Sequence, residues 1–268
     1  MPEPVIEAVY LGRLGYAAAL RLQAEVEAQR QRRRCGDQLL LLEHDAVVTL
    51  GRNARREHLL ETPERLAARG IEVAECNRGG DVTWHGPGQL VGYPILDLRE
   101  LPPPPGAGER KRPGLGAVEY VRALEEVLMR VAAGFGIAAR RLAGLTGVWT
   151  AQPPERKFAA IGVHIARGVT THGFALNVAP DLAGFGAILP CGIRGRGVSS
   201  LARELGRPLA VSEVLAPLAL HFSQVFGRAL VWKPQPEWRA AVAATAAASS
   251  APAVPGRELD FHAGAECG

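Results

Sequence analysis

Residues 78–98 constrain the fold of this chain more than any other stretch, because five glycines surround a histidine and an apolar segment follows at once. Glycine accepts positive φ and lacks a Cβ, so this backbone can approach another group closely. Pro87, between Gly86 and Gly88, fixes a turn directly after His85. The pattern predicts His85 at the rim of a sheet, and a plain glycine-rich hairpin with a hydrogen-bonded histidine is the alternative.

Hydrophobic periodicity predicts alternating helices and strands. Strands are expected at 5–11, 38–43, 46–50, 71–74, 89–98, 147–150, 158–165, 174–178 and 230–233, and helices at 16–34, 62–70, 118–135 and 212–226. His44 and Asp45 form a short connection of the kind that joins antiparallel strands, and the strands after residue 146 are expected to be neighbours. Thr62 and Ser212 are expected as helix caps. This order predicts one α/β or α+β domain.

Two segments are predicted to be additions to this domain. Residues 101–113 are rich in proline, glycine and charge, which predicts a surface loop. From about residue 239 the chain is rich in alanine, serine and proline. We therefore expect a main domain over residues 1–238 and a low-complexity extension over 239–268.

Charge and cysteine usage exclude several classes of protein. The net charge of +4 is modest for 268 residues, so nucleic-acid binding is not expected, whereas an acidic protein partner is compatible. The four cysteines lie far apart, and the first residues lack a basic region followed by an apolar core, which predicts a cytoplasmic protein with free thiols. No apolar run has the length of a membrane-spanning helix, so no membrane association is expected.

Cys191 lies between Pro190 and Gly192, after an apolar run. In such a turn the thiol can be exposed and the next backbone N–H can remain available, which favours a nucleophile. The alternative is a buried, inert thiol, the commoner state of a cytoplasmic cysteine.

Lysine occurs only at Lys111, Lys157 and Lys233, whereas the other cationic residues are arginines. Lys157 begins a predicted strand, and a compact ammonium near a thiol favours the thiolate. Lys157 and Cys191 are therefore a candidate pair. A solvent-exposed lysine at a strand edge is the alternative.

His172, beside Gly173, adds a further histidine to the glycine-rich segments. With His85, His164 and Cys191 it raises the alternative of a zinc site, but no two of these residues have a tight metal-binding spacing, so no metal is expected. A Cys–His hydrolase is another alternative, with His85 or His172 as the base.

Three motifs occur in a fixed order at residues 78–90, 157–175 and 190–201. They are Arg-Gly-Gly-Asp-Val-Thr-Trp-His-Gly-Pro-Gly-Gln-Leu, the segment that begins at Lys157, and Pro-Cys-Gly-Ile followed by Gly-Val-Ser-Ser-Leu. Together they resemble octanoyltransferase, also called lipoyl(octanoyl) transferase, over about residues 5–235. The resemblance implies the α/β fold of biotin and lipoate protein ligases, a mixed, largely antiparallel sheet flanked by helices.

The resemblance also implies roles for individual residues. Cys191 is expected to be the acyl-thioester nucleophile, and Lys157 to lower the pKa of its thiol. The proton of the acceptor lysine would go to Lys157, His85 or His172. Trp84 stands where the family usually has tyrosine. The substrate-binding residues implied are Arg78, Gly79, Gly80, Asp81, Val82, Thr83, Trp84, His85, Ala160, Ile161, Gly162, Gly173, Phe174 and Ala175.

Four of these glycines, at positions 79, 80, 162 and 173, are expected to let the backbone line a tunnel for an acyl chain. Their N–H groups would then be available to the oxygen of a tetrahedral intermediate.

The implied reaction transfers octanoyl or lipoyl from acyl carrier protein to a lysine. The implied partners are octanoyl-acyl carrier protein, lipoyl domains of 2-oxoacid dehydrogenases and the glycine cleavage H protein. Neither ATP nor a metal is expected, because a thioester is already activated. An ATP-dependent lipoate ligase of the same fold is one alternative, although adenylate chemistry needs no counterpart of Cys191 and Lys157. A non-catalytic protein that binds the carrier or the lipoyl domain is another.

Overall fold

The structure is a computed structural model that describes residues 4–102, 114–189 and 196–247. The strands are β1 (Val5–Leu14), β2 (Asp37–His44), β3 (Val47–Leu50), β4 (Glu72–Glu75), β5 (Val82–His85), β6 (Gln89–Ile95), β7 (Ala139–Leu142), β8 (Leu145–Thr150), β9 (Lys157–Ala166), β10 (Val169–Asn177) and β11 (Ala229–Trp232). The α-helices are α1 (Tyr16–Gln31), α2 (Pro63–Ala68), α3 (Ala117–Gly134), α4 (Leu201–Leu205), α5 (Val211–Phe226) and α6 (Gln235–Ala247).

Within the described ranges, the main sheet has eight strands in the order β11-β1-β2-β6-β10-β9-β8-β7. β1 runs parallel to both β11 and β2, and α1 makes the crossover that a parallel β1–β2 pair requires. Every other pairing in this sheet is antiparallel. The expected mixed, largely antiparallel sheet is therefore confirmed.

Apolar residues cover both faces of the main sheet. In β2, Leu39 and Leu41 belong to the core that includes α3 and α5, while Leu40 and Leu42 belong to the core that includes α1 and α6. The alternation follows from the two-residue period of a strand. All four leucines are at most 1% exposed, so each contributes roughly 1.5–3 kcal/mol through burial.

A second sheet of three strands has β3 at its centre, parallel to β4 and antiparallel to β5. Its core contains Val48, Leu66, Val82, Trp84 and Phe185. The expected antiparallel pairing of 38–43 with 46–50 is therefore wrong. Both segments are strands, but β2 lies in the main sheet. β3 lies in the small sheet because its apolar side chains pack in this separate core.

The helices at 16–34, 62–70, 118–135 and 212–226 are confirmed to within a few residues. Thr62 caps α2 by accepting the N–H of Arg65 at 3.4 Å. Ser212 does not cap α5, because this helix begins one residue earlier and the Glu213 carboxylate accepts the N–H of Ala210 at 2.8 Å. The predicted neighbours β8, β9 and β10 are adjacent, whereas β5 and β7 were not predicted.

Helix α6 crosses the domain boundary expected after residue 238. Trp238 and Val242 are buried in the same core as α1, and Trp238 Nε1 donates to Gln38 Oε1 at 2.8 Å. The proline-rich segment 103–113 and the residues after 247 lie outside the described residues. Within the described ranges, no helix is long and apolar enough to cross a membrane.

Candidate active site

A cavity of about 650 Å³ lies where the loop after β4 meets β9 and the turn before β8. We call it the outer cavity. Its wall combines apolar side chains from α3, β8 and β9 with a lysine, an arginine and a histidine–aspartate pair. The lining residues are Asn53, Arg55, His58, Gly79, Gly80, Asp81, Val121, Gly144, Leu145, Thr146, Lys157, Ala160, Ile161, Gly162 and Val163.

A smaller inner cavity of about 50 Å³ shares five lining residues with the outer one and continues toward α1 and β10. Most of the expected substrate-binding residues meet here, although they come from three separate segments. The lining residues are Tyr16, Arg78, Gly80, Asp81, Val82, Thr83, His85, Val91, Tyr93, Ala160, Ile161, Gly162, His172, Gly173, Phe174 and Ala175.

Trp84 is the expected substrate-binding residue that borders neither cavity. Successive side chains of β5 point to opposite faces, so Thr83 and His85 line the inner cavity whereas Trp84 packs in the core of the small sheet. Its ring centroid lies 5.2 Å from that of Phe185. Trp84, at the position where the family usually has tyrosine, therefore contributes to packing in this structure.

Arg78 is 8% exposed and lines the inner cavity. Its guanidinium donates to the carbonyl oxygen of Thr49 at 2.7 Å, to the Thr49 hydroxyl at 2.8 Å and to the carbonyl oxygen of Gly79 at 3.1 Å. Within the described ranges it forms no ion pair with a carboxylate. Its charge is therefore held by neutral oxygens beside a cavity, an arrangement that suits an electron-rich ligand.

The loop after β4 packs directly on β9. Gly79 N–H donates to the Val163 carbonyl at 2.9 Å. We expected this N–H to be available to an oxyanion, but it is already used in this hydrogen bond. A Cβ on Gly162 would lie 2.7 Å from the carbonyl oxygen of Gly79. At this position glycine is therefore required by the close approach of two backbones.

His85 is not presented at a rim but is 7% exposed, where β5 meets α1 and the main sheet. Burial lowers its pKa to about 3, and the nearby His44 contributes to the shift. His172, 3% exposed, has its pKa lowered to about 4 by burial and, less strongly, by the charge of Arg78. Both imidazoles are thus neutral and weakly basic at pH 7.

A chain of hydrogen bonds fixes the tautomer of His85. Asn177 Nδ2 donates to the Ser199 carbonyl at 2.8 Å, so Asn177 Oδ1 accepts from Gln89 Nε2 at 2.9 Å. Gln89 Oε1 is then the acceptor at 2.6 Å from His85 Nδ1, which must carry the proton. Nε2 of neutral His85 is therefore an acceptor.

Lys157, at the start of β9, is 8% exposed and lines the outer cavity. Its Nζ lies 4.8 Å from the centroid of the Trp149 ring. Its backbone N–H donates to the Gly197 carbonyl at 3.0 Å, and its carbonyl accepts the N–H of Ser199 at 3.0 Å. The alternative of a solvent-exposed edge lysine is excluded by this burial.

Cys191 lies outside the described residues, so its predicted role is not tested. The described residues on either side of Cys191 are hydrogen-bonded to residues that line the outer cavity. Leu189 N–H donates to the carbonyl of His58 at 2.8 Å, and Gly197 is bonded to Lys157. His58 and Lys157 both line that cavity.

Sequence reasoning missed the pair formed by His58 and Asp81. His58 Nδ1 is hydrogen-bonded to Asp81 Oδ2, and both side chains are 13% exposed. His58 follows two arginines and a glutamate in a polar stretch without glycine, so only its distance from Asp81 in space reveals it. Across the described chain, no three histidine, cysteine or acidic side chains are grouped as a metal site.

The fold and site define the catalytic domain of a lipoyl protein ligase or transferase. The family described as "Lipoyl protein ligase A/B catalytic domain" matches residues 15–223. Among solved structures, the crystal structure of lipoate-protein ligase A bound with ATP has a TM-score of 0.65 and 17% identity, over 90% of this chain and 94% of that chain. At this identity the likeness concerns the fold alone.

Closer relatives specify the family. An octanoyltransferase of Acidobacterium capsulatum is 53% identical, over 87% of this chain and 94% of the relative. An octanoyltransferase of Koribacter versatilis is 48% identical, over 85% of this chain and 87% of the relative. The chain belongs to the octanoyltransferase family, whose members are acyltransferases.

Proposed function

We propose that this chain transfers an octanoyl or lipoyl group from a thioester of acyl carrier protein to a lysine of a lipoyl domain, through an acyl thioester on Cys191. The observation that carries this proposal is the position of Lys157. Its side chain lines the outer cavity, and its backbone is bonded to Gly197 and Ser199, just beyond Cys191 in the chain.

An ammonium at this position explains how a cysteine would react at neutral pH. An ordinary thiol with a pKa of about 8.5 is ionised only to a few per cent at pH 7, and a neighbouring cation raises that fraction. Lys157 Nζ lies 4.8 Å from the centroid of the Trp149 ring, in cation–π contact with its face. Lys157 is therefore suited to stabilise a thiolate on Cys191.

The proposed reaction has two steps. The Cys191 thiol releases its proton to solvent, and the thiolate attacks the thioester carbonyl of the donor. The carrier leaves as a thiolate that takes a proton from solvent, so one thioester replaces another and Lys157 keeps its charge. The amine of the acceptor lysine then attacks the new thioester and forms an amide. Neither step requires ATP or a metal ion.

The cavities provide a place for the acyl chain. Val121, Leu145, Ile161 and Val163 supply apolar surface to the outer cavity, which lies within the usual size range of ligand sites.

The donor carrier is proposed to be acidic, and exposed arginines at 52, 55 and 56 suit such a partner. Lipoyl domains of 2-oxoacid dehydrogenases and the glycine cleavage H protein are the proposed acceptors, and the cytoplasm is the proposed location.

Transfer assays with two donors test the proposal. With octanoyl-acyl carrier protein and an apo lipoyl domain, we expect the mass of the domain to increase by one octanoyl group without ATP. Free octanoate with ATP should give no product. Transfer from octanoate and ATP alone would instead identify an ATP-dependent ligase, and binding of carrier and domain without any transfer would identify a non-catalytic protein.

A further inference from the structure

His58 and Asp81 form a fixed pair in the wall of the outer cavity, and the roles above leave this pair unused. While Asp81 Oδ2 contacts the ring, its Oδ1 accepts the backbone N–H of Val82 at 2.8 Å and of Arg55 at 3.2 Å. The carboxylate is thus held by two backbone donors. A carboxylate held in this way fixes both the orientation and the tautomer of a neutral imidazole.

Since the Asp81 carboxylate can only accept, Nδ1 of neutral His58 carries the proton and Nε2 is the acceptor. Within the described part of the chain, His58 Nε2 has no hydrogen-bond partner. Arg55, Asp81 and Lys157 are the charged groups that line the same cavity, and residues 56 and 57 precede His58 as Arg and Glu. His58, whose Nε2 is the acceptor nitrogen when the ring is neutral, therefore lines the same cavity as the proposed thiolate-stabilising lysine.

We propose that His58 Nε2 accepts a proton from the ammonium of the incoming lysine, with Asp81 as its positioning residue. This inference rests on the proposed acyl transfer. The ammonium loses one proton to His58, and the resulting amine attacks the thioester carbonyl on Cys191. The C–N bond forms and the C–S bond breaks. The second nitrogen proton goes to the departing thiolate, which leaves Cys191 as a thiol, and His58 releases its proton to solvent.

The other candidate bases are less suited to this step. A lysine amine has a pKa of about 10.4, so nearly all of it is protonated at pH 7 and a base must act in its deprotonation. Burial lowers the pKa of His85 to about 3 and that of His172 to about 4, which makes both rings weak proton acceptors. Lys157 serves the thiolate in its charged form, and an ammonium cannot accept a proton.

The test separates the two half-reactions. Wild type, His58→Gln, Asp81→Asn and the control His221→Gln are first acylated with octanoyl-acyl carrier protein, and the carrier is removed. His221 is a half-buried histidine on α5, and it lines neither cavity. Single-turnover transfer to an apo lipoyl domain is then followed by mass spectrometry. Hydroxylamine is a second acceptor, because it is already neutral at pH 7.

The transfer rate of each variant is measured on its acylated fraction, and the control His221→Gln should be acylated at the wild-type rate. In His58→Gln, transfer to the lipoyl domain at pH 7 should slow by about 100-fold, which is a typical contribution of a general base. Its rate of transfer to hydroxylamine should be unchanged. The difference in transfer rate to the lipoyl domain between His58→Gln and wild type should become smaller toward pH 10, where the lysine loses its proton unaided. Asp81→Asn should show the same pattern more weakly, and His221→Gln should match wild type.

Wild-type transfer rates in His58→Gln at pH 7 would overturn the assignment of His58. An equal loss with hydroxylamine would also overturn it, because this would indicate a structural role, and so would a loss of acylation in His58→Gln. Failure of the wild type to form any acyl-enzyme would instead reject the proposed function.

Discussion

Lys157 stands out both in the sequence and in the structure. It is one of three lysines in an arginine-rich chain, and it is buried beside the ring of Trp149 at 4.8 Å. By contrast, Lys233 pairs with Glu7 at 3.2 Å and is 39% exposed. A lysine that is buried against an aromatic face and lines a cavity is suited to hold a positive charge at one place.

The proposed effect of Lys157 on Cys191 predicts a change in thiol reactivity. In Lys157→Ala, the pH dependence of Cys191 alkylation should move to higher pH by about one unit or more, because loss of a neighbouring cation raises the pKa of a thiol. Peptide mapping after iodoacetamide treatment measures this rate. Lys233→Ala is the matched control and should leave the profile unchanged. An unchanged profile in Lys157→Ala would contradict the pairing.

Single residues differ in how far the sequence reveals them. The scarcity of lysine draws attention to Lys157, and the glycines around His85 mark the motif that lines the inner cavity. His58 has no such local sign, because its partner Asp81 lies 23 residues away in the chain. The burial that lowers the pKa of His85 is equally invisible without the contacts of α1 and the main sheet.

At the scale of elements, the core of the small sheet depends on the fit of Trp84 against two glycines. A Cβ on Gly184 would lie 2.3 Å from Trp84 Cε2, and a Cβ on Gly86 would lie 2.4 Å from the same ring. These contacts come from two separate backbone segments. The motif residue Trp84 therefore stabilises the position of β5, which in turn carries His85.

This packing predicts that Gly184→Ala destabilises the protein by about 1–3 kcal/mol, since an added methyl group has no room beside the indole. Urea unfolding measures the change. Gly186→Ala is the matched control in the same short helical turn, because its Cβ would meet no atom within 4 Å. We expect that variant to remain within about 0.5 kcal/mol of wild type. Equal stabilities of the two variants would contradict the packing account.

Most helices and strands were predictable from the sequence, but several strand pairings were not. The period of apolar residues marks α1, α3 and α5 because the pattern is local. Whether β3 pairs with β2 or with β4 depends on distant contacts with α2 and the turn at 182–187. The strand β5 was missed because glycines flank it and its pairing with β3 is not visible locally.

At the scale of the whole molecule, the two sheets and α1 enclose a polar cluster. Tyr16 stacks on His85 with ring centroids 6.4 Å apart, and His44 Nε2 accepts the hydroxyl of Tyr93 at 2.6 Å. Burial lowers the pKa of His44 to about 4. With His85 and His172, three imidazoles are therefore held neutral inside the protein.

This cluster predicts a loss of stability in mild acid. Each folded-state pKa lies below the ordinary value of 6.5, so the unfolded chain binds these protons first and stability falls as the pH drops below about 6.5 toward 4. Each histidine lowers the free energy of unfolding by up to about 1.4 kcal/mol per pH unit in this range. Urea unfolding at pH 7 and pH 5 measures the slope, which His85→Gln should reduce and His221→Gln should not. Equal stability at both pH values would contradict the account.

The central claim is an acyl-enzyme on Cys191, and the most direct measurement is intact mass spectrometry of the protein mixed with octanoyl-acyl carrier protein, followed by peptide mapping. Cys35→Ser is the control, because burial raises the pKa of the Cys35 thiol to about 11 and makes it unreactive. The account predicts one octanoyl group on the peptide that contains Cys191, retained in Cys35→Ser and absent in Cys191→Ala. No adduct in wild type, or an adduct that persists in Cys191→Ala, would contradict it.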